Sequence, residues 1–249
     1  MDSNAAGRDR RSDRLYLWGG ACLLIVAVLF VLLIVFALAL FSSLQDLYPT
    51  TPLTGTGLDN LARNAVLARV SFGTGMLSDL VLITGIVALY AALEDVDRDT
   101  MRVASLFMGL YVVLDLAVTG MNVAALVSVS QDYASSSVAT QQSSFAVASY
   151  IKAVISVSVP LSSAVLSVGI LLTGLVLREG SFGTGAAYLG IASGVVGVVY
   201  GFGAVVPVLT SFQALSAVLE LAWFALMGWK LIRLSRTRQG GKSFSPAAA

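Results

Sequence analysis

The stretch Leu15–Phe41, LYLWGGACLLIVAVLFVLLIVFALALF, runs for 27 residues without a charge. About 20 apolar residues in an α-helix cross the hydrocarbon core of a bilayer. No water is available there to satisfy backbone N–H and C=O groups. A run of this length must therefore close its hydrogen bonds internally, as a helix. It follows an arginine-rich start, and Ala37-Leu38-Ala39 resembles a signal cleavage site. The run nevertheless exceeds the roughly 7–15 apolar residues of a signal peptide, so it reads as a retained span.

Five further segments meet the same criterion: residues 71–93, 103–127, 155–177, 184–208 and 211–232. Together they predict an all-α, polytopic transmembrane helix bundle of six spans, forming one domain over residues 15–234. A basic tail (1–14) precedes it and a second tail (235–249) follows. Met1–Ser12 and Gln239–Ala249 read as disordered. The breaks are Asp46–Asn60 with two prolines, the charge run Glu94–Arg102, the Ser- and Gln-rich Gln131–Ser144, the glycine-rich Arg178–Gly183, and the turn Pro207–Ser211.

Composition agrees. The 249 residues are 57% hydrophobic and 12% charged, with mean hydropathy +0.87. A soluble domain carries about 25% charged residues, so this chain has too little polar surface to face water and needs the lipid bilayer as its partner. The net charge of +1 and the short basic patches at span edges point to no nucleic-acid partner. With no histidine and one cysteine, the chain lacks the residues for His-ligated haem or zinc and for Ser-His or Cys-His catalysis. Cys22 reads as a small apolar residue. Glu94-Asp95-Val96-Asp97-Arg98-Asp99 fits no EF-hand spacing and reads as a solvated turn. Neither a metal nor a cofactor is expected.

Orientation follows from Arg and Lys. With the N-terminus cytoplasmic, the inner segments hold Arg8, Arg10, Arg11, Arg14, Arg98, Arg102, Arg178, Lys230, Arg233, Arg236, Arg238 and Lys242. The outer edges hold Arg63, Arg69 and Lys152, a bias of 12 to 3 that puts both termini in the cytoplasm. Tyr16, Trp18, Trp223 and Trp229 fall where interfacial anchors are expected.

The fifth span carries two GxxxG pairs, Gly190 with Gly194 and Gly197 with Gly201. Small residues at this spacing let helices approach closely in lipid, inside the bundle or against a second copy or another membrane subunit. Two strings recur. Ser71-Phe72-Gly73-Thr74-Gly75 returns at residues 181–185, and Val113-Leu114-Asp115-Leu116-Ala117 returns at 218–222 with Glu220 for the aspartate. The offsets of 110 and 105 suggest that spans 1–3 match spans 4–6, which would make an inverted 3+3 repeat.

Asp79, Asp115 and Glu220 lie inside spans. A carboxylate in hydrocarbon costs several kcal/mol, so such residues mark sites or pair with neighbours. Helical spacing puts Tyr111, Asp115, Thr119 and Asn122 on one face of span three. It groups Gln213, Ser216 and Glu220 on span six, and Lys152, Ser156, Pro160, Ser163 and Ser167 on span four. Asp115 and Glu220 fall near the midplane, Asp79 and Asn122 in the outer half, and Lys152 near the outer edge. The functional reading is a polar cavity with protonatable or cation-binding Asp115 and Glu220. Asp79 would pair with Lys152, and Pro160 would break the hydrogen-bond ladder of the fourth helix and free a carbonyl toward the cavity. The competing reading is interhelical hydrogen bonding alone.

Two function classes follow: transport of a proton, cation or small solute, or a non-catalytic membrane subunit, sensor or partner-binding bundle. An intramembrane aspartyl protease would resemble its relatives in a Gly-x-Gly-Asp string, which neither Asp79 nor Asp115 carries, so no enzyme is expected.

At Ala187–Gly197 (AYLGIASGVVG) and Trp223–Leu234 (WFALMGWKLIRL) the chain resembles a prokaryotic membrane family known as domain of unknown function 4386. The resemblance covers residues 15–234. It implies six spans, a glycine-rich fifth span, an aromatic-Lys-Leu inner edge on the last, and a prokaryotic membrane. It implies no activity and no catalytic residues.

Overall fold

The computed structural model describes residues 3–39, 52–180 and 183–241, and every regular element among them is helical. α1 is Ser3–Ala39, α2 Gly55–Arg63 and α3 Ala65–Leu93. α4, Arg98–Leu114, passes through a π-helical turn, Asp115–Gly120, into α5, Met121–Ser135. α6 is Val138–Glu179, α7 Thr184–Gly201 and α8 Gln213–Gly241. Two 3-10 turns, Phe202–Ala204 and Pro207–Phe212, join α7 to α8. Six segments are long and apolar enough to cross a membrane: Asp13–Phe36, Ala65–Leu93, Arg98–Ser135, Val138–Glu179, Thr184–Ala204 and Pro207–Thr237.

The boundaries differ from the sequence expectation in several places. α1 starts at Ser3 and α8 runs to Gly241, so most of the first tail expected to be disordered, and the first three residues of the second, are helical. Leu40 and Phe41, which would close the first span, and residues 242–249 lie outside the described residues. The expected linker Gln131–Ser144 is helix except at Ser136-Ser137. Ser and Gln each cost under about 1 kcal/mol of helix propensity, and packing against a neighbour offsets that. The neighbour is α2, an unforeseen helix drawn from the proline-containing linker and capped by Thr54, whose hydroxyl accepts from the Gly57 amide at 3.0 Å. Between α3 and α4, Asp97 caps the next helix by accepting from the Thr100 amide at 3.0 Å. The hydrogen bonds from Thr100 hold the Asp97 carboxyl below the usual carboxylate range.

Consecutive spans run antiparallel, and the last closes on the first. On α1 and α3, the Tyr16 hydroxyl donates to the Ala91 carbonyl at 3.1 Å, while Leu23 lies against Gly85. On α1 and α8, Gly20 faces Gly228 and Ile232. α4 meets α6 where Gly169 faces Ala104 and Met108. Along α6 and α7, Gly190 lies against Gly174, Gly194 against Leu171, Gly197 against Ser167, and Gly201 against Ala164 and Pro160. The glycines of the two GxxxG pairs are thus used inside the bundle, where a side chain would meet α6.

Two cores result. The larger joins α1, α3, α4, α6, α7 and α8 around Leu23, Leu89, Met108, Ile170, Trp223 and Phe224. The smaller joins α2, α5 and the two ends of α3 and α6 nearest them through Leu58, Leu61, Leu126, Val127, Ala148 and Ile151. At 42 residues α6 spans about 63 Å, twice the hydrocarbon thickness, so it serves both cores. Outward-facing residues are apolar as well, with Val28, Leu80, Leu106, Val113, Leu161 and Val195 all exposed. A bundle that is apolar on both faces is solvated by lipid, not water.

Tyr16 and Trp223, read as interfacial anchors, are core residues. Trp223 is 0% exposed and packs edge-on against Phe224 at 5.3 Å. Trp18 and Trp229 are exposed, and Trp229 carries the Arg233 guanidinium 5.6 Å above its ring. The recurring strings take different local structures. Ser71–Gly75 lies well inside α3, whereas Gly183 precedes α7 at φ 86°, a left-handed conformation that favours glycine. Ser181 and Phe182 lie outside the described residues. Asp115 opens the π turn, whereas Glu220 sits in regular α-helix. The strings therefore give no local support to an inverted repeat.

Candidate intramembrane site

Asp115 and Glu220 line one cavity of about 180 Å³, bounded by α1, the α4–α5 span, α6, α7 and α8. Glu220 is 4% exposed, and its Oε1 accepts from Ser216 at 2.9 Å and from Ser167 of α6 at 3.3 Å. Ser216 precedes Glu220 by four residues, so one helical turn aligns them. Ser167 reaches across because Gly197 leaves room for the two serines, and a Cβ there would meet both hydroxyls. Glu220 Oε2 has no hydrogen-bond partner among the described residues.

Across the cavity, Ser162 Oγ lies 3.3 Å from Asp115 Oδ1 and 3.1 Å from the Val159 carbonyl, so its one proton serves one acceptor at a time. The π turn begins at Asp115. Such turns insert one residue into a helix and shift the faces beyond them. Asn122, expected on the Asp115 face, instead donates to its own Val118 carbonyl at 2.7 Å. Thr119 Oγ1 is buried with no partner among the described residues.

Asp79 departs most from expectation. It is buried at the midpoint of α3, which begins at Ala65, several residues before the predicted start. Its Oδ1 accepts from the Tyr111 hydroxyl at 3.1 Å, and the Asp115 carboxyl is its neighbour. The pair expected with Lys152 is not formed. Ser162 marks the Asp115 level on α6, and Lys152 is ten residues away, about 15 Å along the helix. Lys152 is buried beside the smaller core, next to Ile151. α6 runs on through Pro160, which has no N–H to give to the helix ladder, and the Pro160 carbonyl packs against Gly201.

Sequence reading placed Tyr111 on the Asp115 face but gave Tyr200 no part in the site. Tyr111 lies within electrostatic reach of all three acids. Tyr200 lines the cavity at 3% exposure, with a hydroxyl that has no partner among the described residues. Its only sequence signal is its place beside Gly197 and Gly201, which let α7 approach α6 and carry the ring inward. The lining includes no Lys or Arg. Among the described residues no group of three His, Cys, Asp or Glu could hold a metal ion.

No protein-family model matches this chain, and no curated protein or solved structure matches it.

The site can therefore be argued only from its own chemistry. Carboxyl groups in an apolar surround, held by hydroxyls and lacking a basic partner, carry an uncompensated charge when ionised. That state costs several kcal/mol unless a proton or a cation enters with it. Serine hydroxyls rotate to donate or accept, so the lining suits either occupant.

Proposed function

We propose that this integral membrane protein carries a proton, a cation or a small solute across the bilayer through the cavity holding Asp115 and Glu220. The supporting observation is that both carboxyls face one cavity whose lining has no basic residue. A purely structural acid would have every oxygen satisfied by neighbouring helices, whereas Glu220 Oε2 has no such bond. The proposal includes membership of the domain of unknown function 4386 family, with the glycine-lined α7 and the Trp229-Lys230-Leu231 end of α8 in support. Carriage, not catalysis, is the activity proposed.

Purified protein in liposomes should move protons or monovalent cations, read by an internal dye. Asp115→Asn combined with Glu220→Gln should lower that flux at least tenfold, about 1.4 kcal/mol or more in the barrier. The variant should reconstitute with its helical circular dichroism intact. Absent flux in the parent, or equal flux in the variant, would sink the reading. In that case the tightly packed α6–α7 seam favours the second reading, a non-catalytic membrane subunit that pairs with itself or with other membrane proteins.

The setting proposed is a prokaryotic cytoplasmic membrane with both termini in the cytoplasm. It is supported by the charge bias of 12 to 3 and by the shared end of α1 and α8, where Gly20 faces Gly228. In a Cys22→Ser background, an impermeant maleimide on intact cells should label Ser136→Cys and spare Val96→Cys. The reverse pattern would invert the topology.

A further inference from the structure

The cavity is too large for a bare inorganic ion. A water molecule occupies about 30 Å³ of liquid, so about 180 Å³ leaves room for several waters or one small organic molecule. Its walls are mixed in a specific way. Asp115 and Glu220 supply negative charge, and the rings of Phe30, Tyr111 and Tyr200 supply aromatic surface. Tyr111 has already committed its hydroxyl proton to Asp79, so it has none to donate into the cavity. Tyr200 holds an unpartnered hydroxyl at 3% exposure, which is costly unless something in the cavity bonds it. Carboxylates beside aromatic rings are the chemistry that recognises alkylated ammonium ions. The rings attract the positive charge through their quadrupoles, and the alkyl groups fill space that a hydrated metal ion would have to fill with water.

We propose that this cavity binds a small organic cation, an alkylammonium. Its charge sits between Asp115 and Glu220 and its alkyl groups lie against Phe30, Tyr111 and Tyr200. The inference rests on the transport reading above and names the substrate class of that same site. An ammonium that retains N–H groups also donates one to the Tyr200 hydroxyl, whereas a fully methylated one cannot. Binding should follow the number of N–H groups through that one residue.

The test uses the full chain in nanodiscs, with radiolabelled methylammonium and tetramethylammonium as probes and sodium as competitor. Both probes should bind saturably, and an equal concentration of sodium should not displace them. Glu220→Gln, which keeps an oxygen to accept from Ser216, should weaken both probes by about tenfold or more. Tyr200→Phe removes only an unpartnered hydroxyl, so it should fold normally. It should weaken methylammonium about tenfold and leave tetramethylammonium unchanged. Equal affinity of Tyr200→Phe and the parent for methylammonium would overturn the role of the hydroxyl. Displacement by sodium would overturn the organic-cation assignment. So would absence of probe binding in protein that still conducts protons, and the transport reading would then stand. Absence of both binding and flux would overturn both.

Discussion

Gly194→Val should leave little folded protein. α7 approaches α6 so closely at this position that a Cβ would lie 2.5 Å from Leu171 Cβ and 2.7 Å from both its Cα and its amide nitrogen. Two of those three atoms are backbone, so no rotamer change relieves the clash and one helix has to move. Overpacking a tight interface costs about 1–3 kcal/mol, and a backbone collision belongs at or above the top of that range. In lipid the loss is felt in full. The hydrophobic effect does not drive these helices together, so close packing supplies much of their association. Gly109→Val and Gly185→Val are the controls, since a Cβ at either position meets nothing within 4 Å. Size-exclusion profiles and melting temperatures in detergent should show the controls near the parent and Gly194→Val aggregated or strongly destabilised. A parent-like Gly194→Val would mean that α6 and α7 are further apart than described.

Trp223→Ala should be comparably damaging, and Trp223→Phe mild. The indole is wholly buried in the larger core, against Phe224 and over Gly190. Replacing a buried Trp by Ala removes its contacts and leaves a cavity, a loss of about 3–5 kcal/mol. Phenylalanine restores most of that contact area. It also sacrifices no hydrogen bond, because the Trp223 Nε1 has no partner among the described residues. Thermal melts of the two variants distinguish a core residue from an interfacial one. A membrane-belt tryptophan would show small, similar shifts for both substitutions.

The tryptophans show where sequence reading stops. Trp18, Trp223 and Trp229 all fall toward span ends of the same sign, and position along a helix was the only available guide. Rotation about the axis separates them. Trp18 and Trp229 face outward, while Trp223 faces α7. Asp79 and Lys152 fail for a related reason. Their predicted pairing assumed spans trimmed to the hydrocarbon thickness, whereas α3 begins earlier and α6 runs far beyond it, so their levels separate. Asn122 was lost to the π turn, which no residue pattern announced. Asp115, Glu220, Ser167 and Ser216 were legible as polar positions on apolar helices, because a buried polar group stands out wherever its neighbours are hydrocarbon.

By itself the sequence determined six membrane-spanning helices, because backbone groups in lipid leave no alternative to a helix and span length is countable. It also determined which residues would be costly there. Only the tertiary structure decided that Asp79 joins Tyr111 and Asp115, that Glu220 takes its hydroxyls from two helices, and that Tyr200 lines the cavity. Those pairings depend on the rotation and offset of each helix against its neighbours. Rotation and offset are set by where small residues permit contact across helices, a property of pairs of spans and not of any one span.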